Sequence, residues 1–248
     1  MKAKLYFILF FFLLFPKFIF AQIALTNKEE AKKVLQKSIA DLNDLNCKSS
    51  LNNAQKLLQY SLSKNDNSYA AKAYNIIGLN YEEFSDLKKA LYYYKEGIKY
   101  AIKANDKQLL EYLYNNIGNL YFFGLDNPEK GLEYYFKSYK YSLKYADKLE
   151  IAFTELNIVA AYFRLEKFDA GKVYLDKILP TLKSENDFEM YITYHTLLGN
   201  YNSNKNKNAE AEKNYNLVLE RLKENNIEFF KPNELEIYNE IYKFYKKI

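Results

Sequence analysis

The residues of this chain that could do chemistry are few, and the ones that recur are amides. Asn75, Asn115 and Asn157 stand 40 and 42 residues apart, Thr196 follows after 39, and Asn239 takes the same slot near the chain end. A primary amide offers two N–H donors and an oxygen acceptor, so a column of them can pair with the main chain of an extended peptide. Codon bias is the competing cause of such a column. Catalytic sets are absent from the pattern. His195 is the sole histidine and Cys47 the sole cysteine, so no Cys/His zinc site and no intrachain disulfide is available. His195 fills a slot held elsewhere by Tyr74, Tyr114 and Leu156, which makes it a packed core residue rather than a base. Glu82-Glu83 and Asp187/Glu189 read as helix-end acids, and no Gly-rich phosphate loop occurs. The expectation is no enzyme, no cofactor and no metal.

The elements that position the amides repeat with them. A small residue stands at Gly78, Gly118, Ala160 and Gly199, at spacings of 40, 42 and 39. Ile77, Ile117, Val159 and Leu198 precede it, and Tyr81, Tyr121, Phe163 and Asn202 follow three later. Offsets of three and four place these on one helical face. Glycine inside a helix costs about 1 kcal/mol against alanine, and close approach of a second helix is the natural compensation. That helix carries Ala90, Tyr94 and Gly97, then Gly131, Tyr135 and Ser138, then Gly171, Leu175 and Ile178, then Ala211, Tyr215 and Val218. Turns are expected at Ser85-Asp86, Gly124 to Pro128, Lys167-Phe168-Asp169 and Asn202 to Asn208. The units run over about 69–105, 109–146, 150–184 and 188–226, after a weaker one at 28–65 and before a terminal helix at 233–247. A fixed period of this length marks units that bury their apolar faces only by stacking.

These residues resemble the tetratricopeptide repeat family in its longer, bacterial variety. Tyr74, Ile77, Gly78, Tyr81, Ala90, Tyr94 and Gly97 match the family pattern position by position, as do Tyr114, Ile117, Gly118, Tyr121 and Tyr135; Gly199, Ala211 and Tyr215 recur in step. The helix-ending proline of the shorter unit is missing, and the third unit is degenerate. The resemblance covers about residues 48–248. It implies an all-α solenoid of antiparallel helix pairs in a right-handed superhelix. It also implies a concave groove lined by the amide slot and the slot four later. The candidate groove residues are therefore Asn75, Leu79, Asn115, Asn119, Asn157, Thr196 and Asn200, with Ala161 in the third unit. The family's clamp for a C-terminal carboxylate needs basic partners that are missing beside Asn119. Phe122 and Phe123 form an apolar pocket or, as preferred here, pack under the Gly124–Pro128 loop.

Composition bounds the partners. The 26 tyrosines accompany high Lys, Asn and Ile, all with AT-rich codons, so most are expected in the core. Three of the 36 basic residues and none of the 31 acids lie in the first 21 positions, which leaves the remainder at about +2. No basic stripe for nucleic acid is visible. Residues 1–21 read as a signal peptide: Lys2 and Lys4, then eleven apolar residues from Leu5 to Phe15, then Ile19-Phe20-Ala21 before Gln22. The alternative is an uncleaved membrane anchor over 5–25. Leu235 to Ile248 repeats the first-helix motif, either as a solvating cap or as the start of a further unit in a longer frame. The expected function is an exported, periplasmic or secreted scaffold binding a protein or peptide. The alternative is the extracytoplasmic sensor segment of a membrane-spanning signalling regulator, such as a histidine kinase or DNA-binding response protein.

Overall fold

Helices of about seventeen residues joined by three-residue turns generate the period of 40. The computed structural model describes residues 25–224 and 232–248; the signal-like segment 1–21 lies outside them. The helices are α1 (Lys28–Asn43), α2 (Cys47–Ser63), α3 (Asn67–Glu83), α4 (Leu87–Ala104), α5 (Lys107–Asn119), α6 (Pro128–Tyr145), α7 (Lys148–Arg164), α8 (Phe168–Ser184), α9 (Phe188–Asn204), α10 (Asn208–Glu224) and α11 (Pro232–Lys247). Left-handed backbone at Leu45, Asn65, Ser85, Asn105, Asp126, Glu166 and Asn206 closes the tight turns, at intervals of 20, 20, 20, 21, 40 and 40. At four of these turns the residue that follows, Asp66, Asp86, Asp106 or Asn127, caps the next helix through its side chain, whereas Asn46 and Lys167 do not. Asp66, Asp86 and Asp106 accept hydrogen bonds from the backbone N–H of Tyr69, Lys89 and Leu109. Each such cap is worth about 1 kcal/mol. Two expected turns shift: α8 already begins at Phe168, and Asn202 to Asn204 still belong to α9. Local hydrogen bonding of the last helical turn outlasts the polar composition there.

Consecutive helices pack as antiparallel pairs, and the pairs stack into an α-solenoid. The central device is a tyrosine laid across a glycine. A Cβ added to Gly78, Gly118 or Gly199 would stand 2.5 Å from the ring of Tyr94, Tyr135 or Tyr215. Those rings are wholly or almost wholly buried. In the third pair both positions change together: counted from the caps Asp66, Asp106, Asp147 and Asp187, the glycine slot falls on Val159, one residue before the expected Ala160, and the partner is the shorter Leu175; both are wholly buried. The hydroxyls pass beyond the glycine. Tyr135 donates to Asn119 Oδ1 at 2.9 Å and Tyr215 to Asn200 Oδ1 at 2.7 Å. Leu79 in the first pair cannot accept, and Tyr94 reaches Glu82 Oε2 at 2.5 Å instead. Glu82 is therefore no ordinary helix-end acid. Burial holds its carboxyl above the usual range.

The second pair departs from regularity. After Asn119 the backbone widens into a π-helical turn at Leu120–Gly124, and the Leu125 N–H bonds the Leu120 carbonyl at 3.0 Å. The wider turn adds one residue, seen as 21 rather than 20 between the left-handed Asn105 and Asp126, and lies in the unit that the sequence reads with a spacing of 42. Phe122 is buried against Tyr135, Ile158 and Ala161, whereas Phe123 is 57 % exposed. The preferred placement of both under the Gly124–Pro128 loop is thus corrected, since the π turn separates their directions.

Two carboxylates are buried where α5, α6 and α7 meet. Glu111 Oε1 accepts from Ser138 Oγ at 2.9 Å and lies 3.4 Å from Thr154 Oγ1; Oε2 is without a partner. Glu155 accepts from the Tyr139 hydroxyl at 2.6 Å. Desolvation raises both carboxyls, and Glu150 adds a like charge near Glu111. A carboxyl raised on folding stabilises fully below its unfolded value, and that contribution is lost as pH rises through the folded one. Glu111→Gln keeps an acceptor for Ser138 and removes the charge. It is expected to melt higher than the parent at pH 7.5, with the gap closing toward pH 4. Equal melting at both pH values would show that the charge is compensated.

Candidate functional site

The first helices of successive pairs line one side of the solenoid. There, from the end of α5 across α7 and α9 to α11, lies a groove of about 1230 Å³. Its apolar wall comes from Phe153, Leu156 and Phe163 on α7, Ile192 and Leu197 on α9, and Phe244 on α11. The helical offsets of these residues explain the wall: 153, 156 and 163 share a face of α7. α11 is held by Ile241 and Phe244, both buried in one cluster with Tyr215 and Val218. Its polar residues Asn239, Glu240, Lys243 and Lys247 turn toward the groove.

The seven sequence-derived groove residues divide. Asn119, Asn157, Thr196 and Asn200 line the cavity, together with Asn239. Asn75, Leu79 and Asn115 do not. The Asn116 amide donates to Asn75 Oδ1 at 3.0 Å, and the Asn157 amide donates to Asn115 Oδ1 at 3.0 Å. These side chains tie one first helix to the next. Leu79 packs on the core cluster of Tyr94 and Leu113, and Ala161 is buried. The column is thus partly a bracket between repeats: Asn157 stands one residue after the slot of Asn75 and Asn115, in register with Asn116, and each of these two donors reaches back to the preceding first helix. Three amides, Asn119, Asn157 and Asn200, still face the cavity, and the Thr196 hydroxyl is buried in its wall. Asn119 and Asn200 have their oxygens occupied by core tyrosines, so their N–H groups are turned outward. Asn157 has its amide N–H committed and its oxygen available. Thr196 is 6 % exposed, and its hydroxyl is without a partner.

Charge in the groove is mixed. Arg164 is 3.5 Å from Asp126 and lies over the Phe122 ring, and Lys243 pairs with Glu240 at 2.7 Å. Glu189 also lines the wall. These cations were not among the sequence candidates, because they come from α7 and α11 rather than from beside Asn119. Phe153 and Ile192 were missed as well. The available signal for Ile192 was its position seven before the glycine, where Ala71 and the acid Glu111 stand in the other pairs; Phe153 lies one residue past that slot. His195 Nδ1 donates to Asn214 Oδ1 at 2.9 Å, and burial lowers its basicity. Among the described residues no group of three or more His, Cys, Asp or Glu could hold a metal. No described helix is long and apolar enough to cross a membrane.

No family model matches the chain, and no curated protein does. Solved structures do. The apo form of the quorum sensor NprR from B. thuringiensis aligns with TM-score 0.67 at 16% identity, covering 90% of this chain and 61% of that one. The apo form of RapI aligns at 0.60 and 12%, covering 82% and 86%. A putative kinesin light chain with nearly identical TPR-like repeats, from Podospora anserina, aligns at 0.63 and 7%, covering 82% and 99%. The fold is that of the tetratricopeptide-like helical repeat arrays.

Proposed function

We propose that the chain is a non-enzymatic scaffold that binds a peptide or protein segment in the groove between α5, α7, α9 and α11. The observation that carries this reading is the groove itself: about 1230 Å³ with an apolar wall and convergent amides. Drug-sized ligands occupy about 300–1,000 Å³, so the space suits a longer chain. Selection of a random heptapeptide display library on the full chain tests the proposal. Enrichment of peptides that compete with one another is expected; no enrichment over a blank surface would overturn it.

Export belongs to the same proposal. The basis is the order of charged, apolar and small residues in 1–21. The expected exported protein begins at Gln22, which intact-mass spectrometry of the secreted or periplasmic fraction measures. Recovery of Met1 to Ala21 in a membrane fraction would favour the anchor. A second reading, the sensor segment of a signalling regulator, draws support from the likeness to the quorum sensor NprR, of which the aligned part is 61%.

A further inference from the structure

Resting on that groove reading, we propose that the site recognises an extended peptide main chain through amides whose polarity is fixed from within the core by Tyr135 and Tyr215. The two hydroxyls donate to Asn119 Oδ1 and Asn200 Oδ1 at 2.9 and 2.7 Å. Both tyrosines are strongly desolvated, which keeps their hydroxyls protonated and donating. Asn119 and Asn200 thereby present N–H groups to ligand carbonyls. Asn157 is set the opposite way. Its N–H is spent on Asn115 Oδ1 at 3.0 Å, so its oxygen accepts from a ligand N–H. The groove therefore reads donor, acceptor, donor across α5, α7 and α9, with the Thr196 hydroxyl unpartnered beside the last. The Asn200 N–H lies 3.4 Å from Glu240 Oε2, a long contact that a ligand carbonyl can replace.

The pattern selects the ligand's conformation. Packed helices lie about 8–10 Å apart, and an extended chain advances about 3.3 Å per residue. About three ligand residues thus separate successive contacts. A helical ligand has its main-chain groups bonded internally and cannot answer the amides. An acyl chain has none to offer.

Tyr135 and Tyr215 are positioning residues, and a coupling measurement separates that role from a structural one. The probe is a heptapeptide enriched on the full chain, titrated by calorimetry. The Tyr135→Phe/Tyr215→Phe variant keeps both rings, and its affinity is expected to fall about tenfold, the equivalent of one net hydrogen bond. In an Asn119→Ala/Asn200→Ala background the same pair of changes should leave affinity unmoved. N-methylation of the probe should weaken binding at a position facing Asn157. Three results overturn the inference: a tyrosine effect that persists without the asparagines, no effect at all, or a bound probe that is helical by its circular dichroism. If no heptapeptide is enriched, the groove reading and this inference fall together. An enriched probe that is lost on Thr193→Trp yet indifferent to the tyrosine changes leaves the groove and removes only the inference.

Discussion

Gly118→Ala is expected to destabilise the protein by about 1–3 kcal/mol, the range for overpacking a filled core. In a Tyr135→Leu background the same substitution should stabilise instead. The new Cβ would meet the Tyr135 ring at 2.5 Å, and the ring is buried with no free side to move to. With leucine opposite, the clash is gone. What remains is the helix preference of alanine over glycine, about 1 kcal/mol. The third pair already holds the related combination of a side chain in the glycine slot and a leucine opposite, Val159 and Leu175, both wholly buried in one cluster. Chemical denaturation of the four corners of the cycle gives the coupling directly. Additive effects would mean that glycine and tyrosine are not matched through contact, and that the third pair differs for another reason.

Thr193→Trp is expected to abolish ligand binding, by a hundredfold or about 2.7 kcal/mol or more, while leaving stability within about 0.5 kcal/mol. Thr193 is half-buried and lines the groove on α9 beside Ile192 and Thr196. An indole there fills the cavity without displacing a core residue. Retained affinity with an unchanged fold would move the ligand off this face.

The repeat, and with it the helix pairing, was legible because its period is written in small and aromatic residues at fixed offsets. Gly78, Gly118 and Gly199 announced a close approach, and the tyrosine that fills it stood 16, 17 and 16 residues further on. The direction of each groove side chain was less legible. Asn75, Asn115 and Asn157 read as one slot in the sequence, yet counted from the helix caps Asn157 stands one residue later, where Asn116 does, and each of these two donates to the amide one repeat back. Helical phase gives a face, and a face near a helix–helix seam serves both the seam and the groove. The π turn at Leu120–Gly124 leaves no sequence mark beyond a spacing of 42, so the split of Phe122 from Phe123 could not be read. Glu111 did carry a signal. Counted from the helix caps, Glu111 stands where the other pairs have the buried Ala71, Ala152 and Ile192, so an acid there must be buried; Glu155 shares its slot with the half-buried Tyr74, Tyr114 and His195.

Asn119 illustrates how packing changes an expectation. A groove-facing amide on a solvated surface would be dispensable. Here its oxygen accepts the hydroxyl of a wholly buried tyrosine. Asn119→Ala should therefore lower stability by about 1 kcal/mol through the orphaned Tyr135 hydroxyl, whereas Tyr135→Phe in that background should restore part of the loss. Urea denaturation of the pair measures it.

Photo-crosslinking tests the central claim most directly. A selected heptapeptide carrying a benzophenone side chain is irradiated on the full chain, and the adducts are mapped by mass spectrometry. The groove account predicts adducts on α7 and α9, at Phe153, Leu156, Ile192 or Thr193. Adducts confined to the exposed second-helix residues Tyr92, Leu143 and Val173 would contradict it.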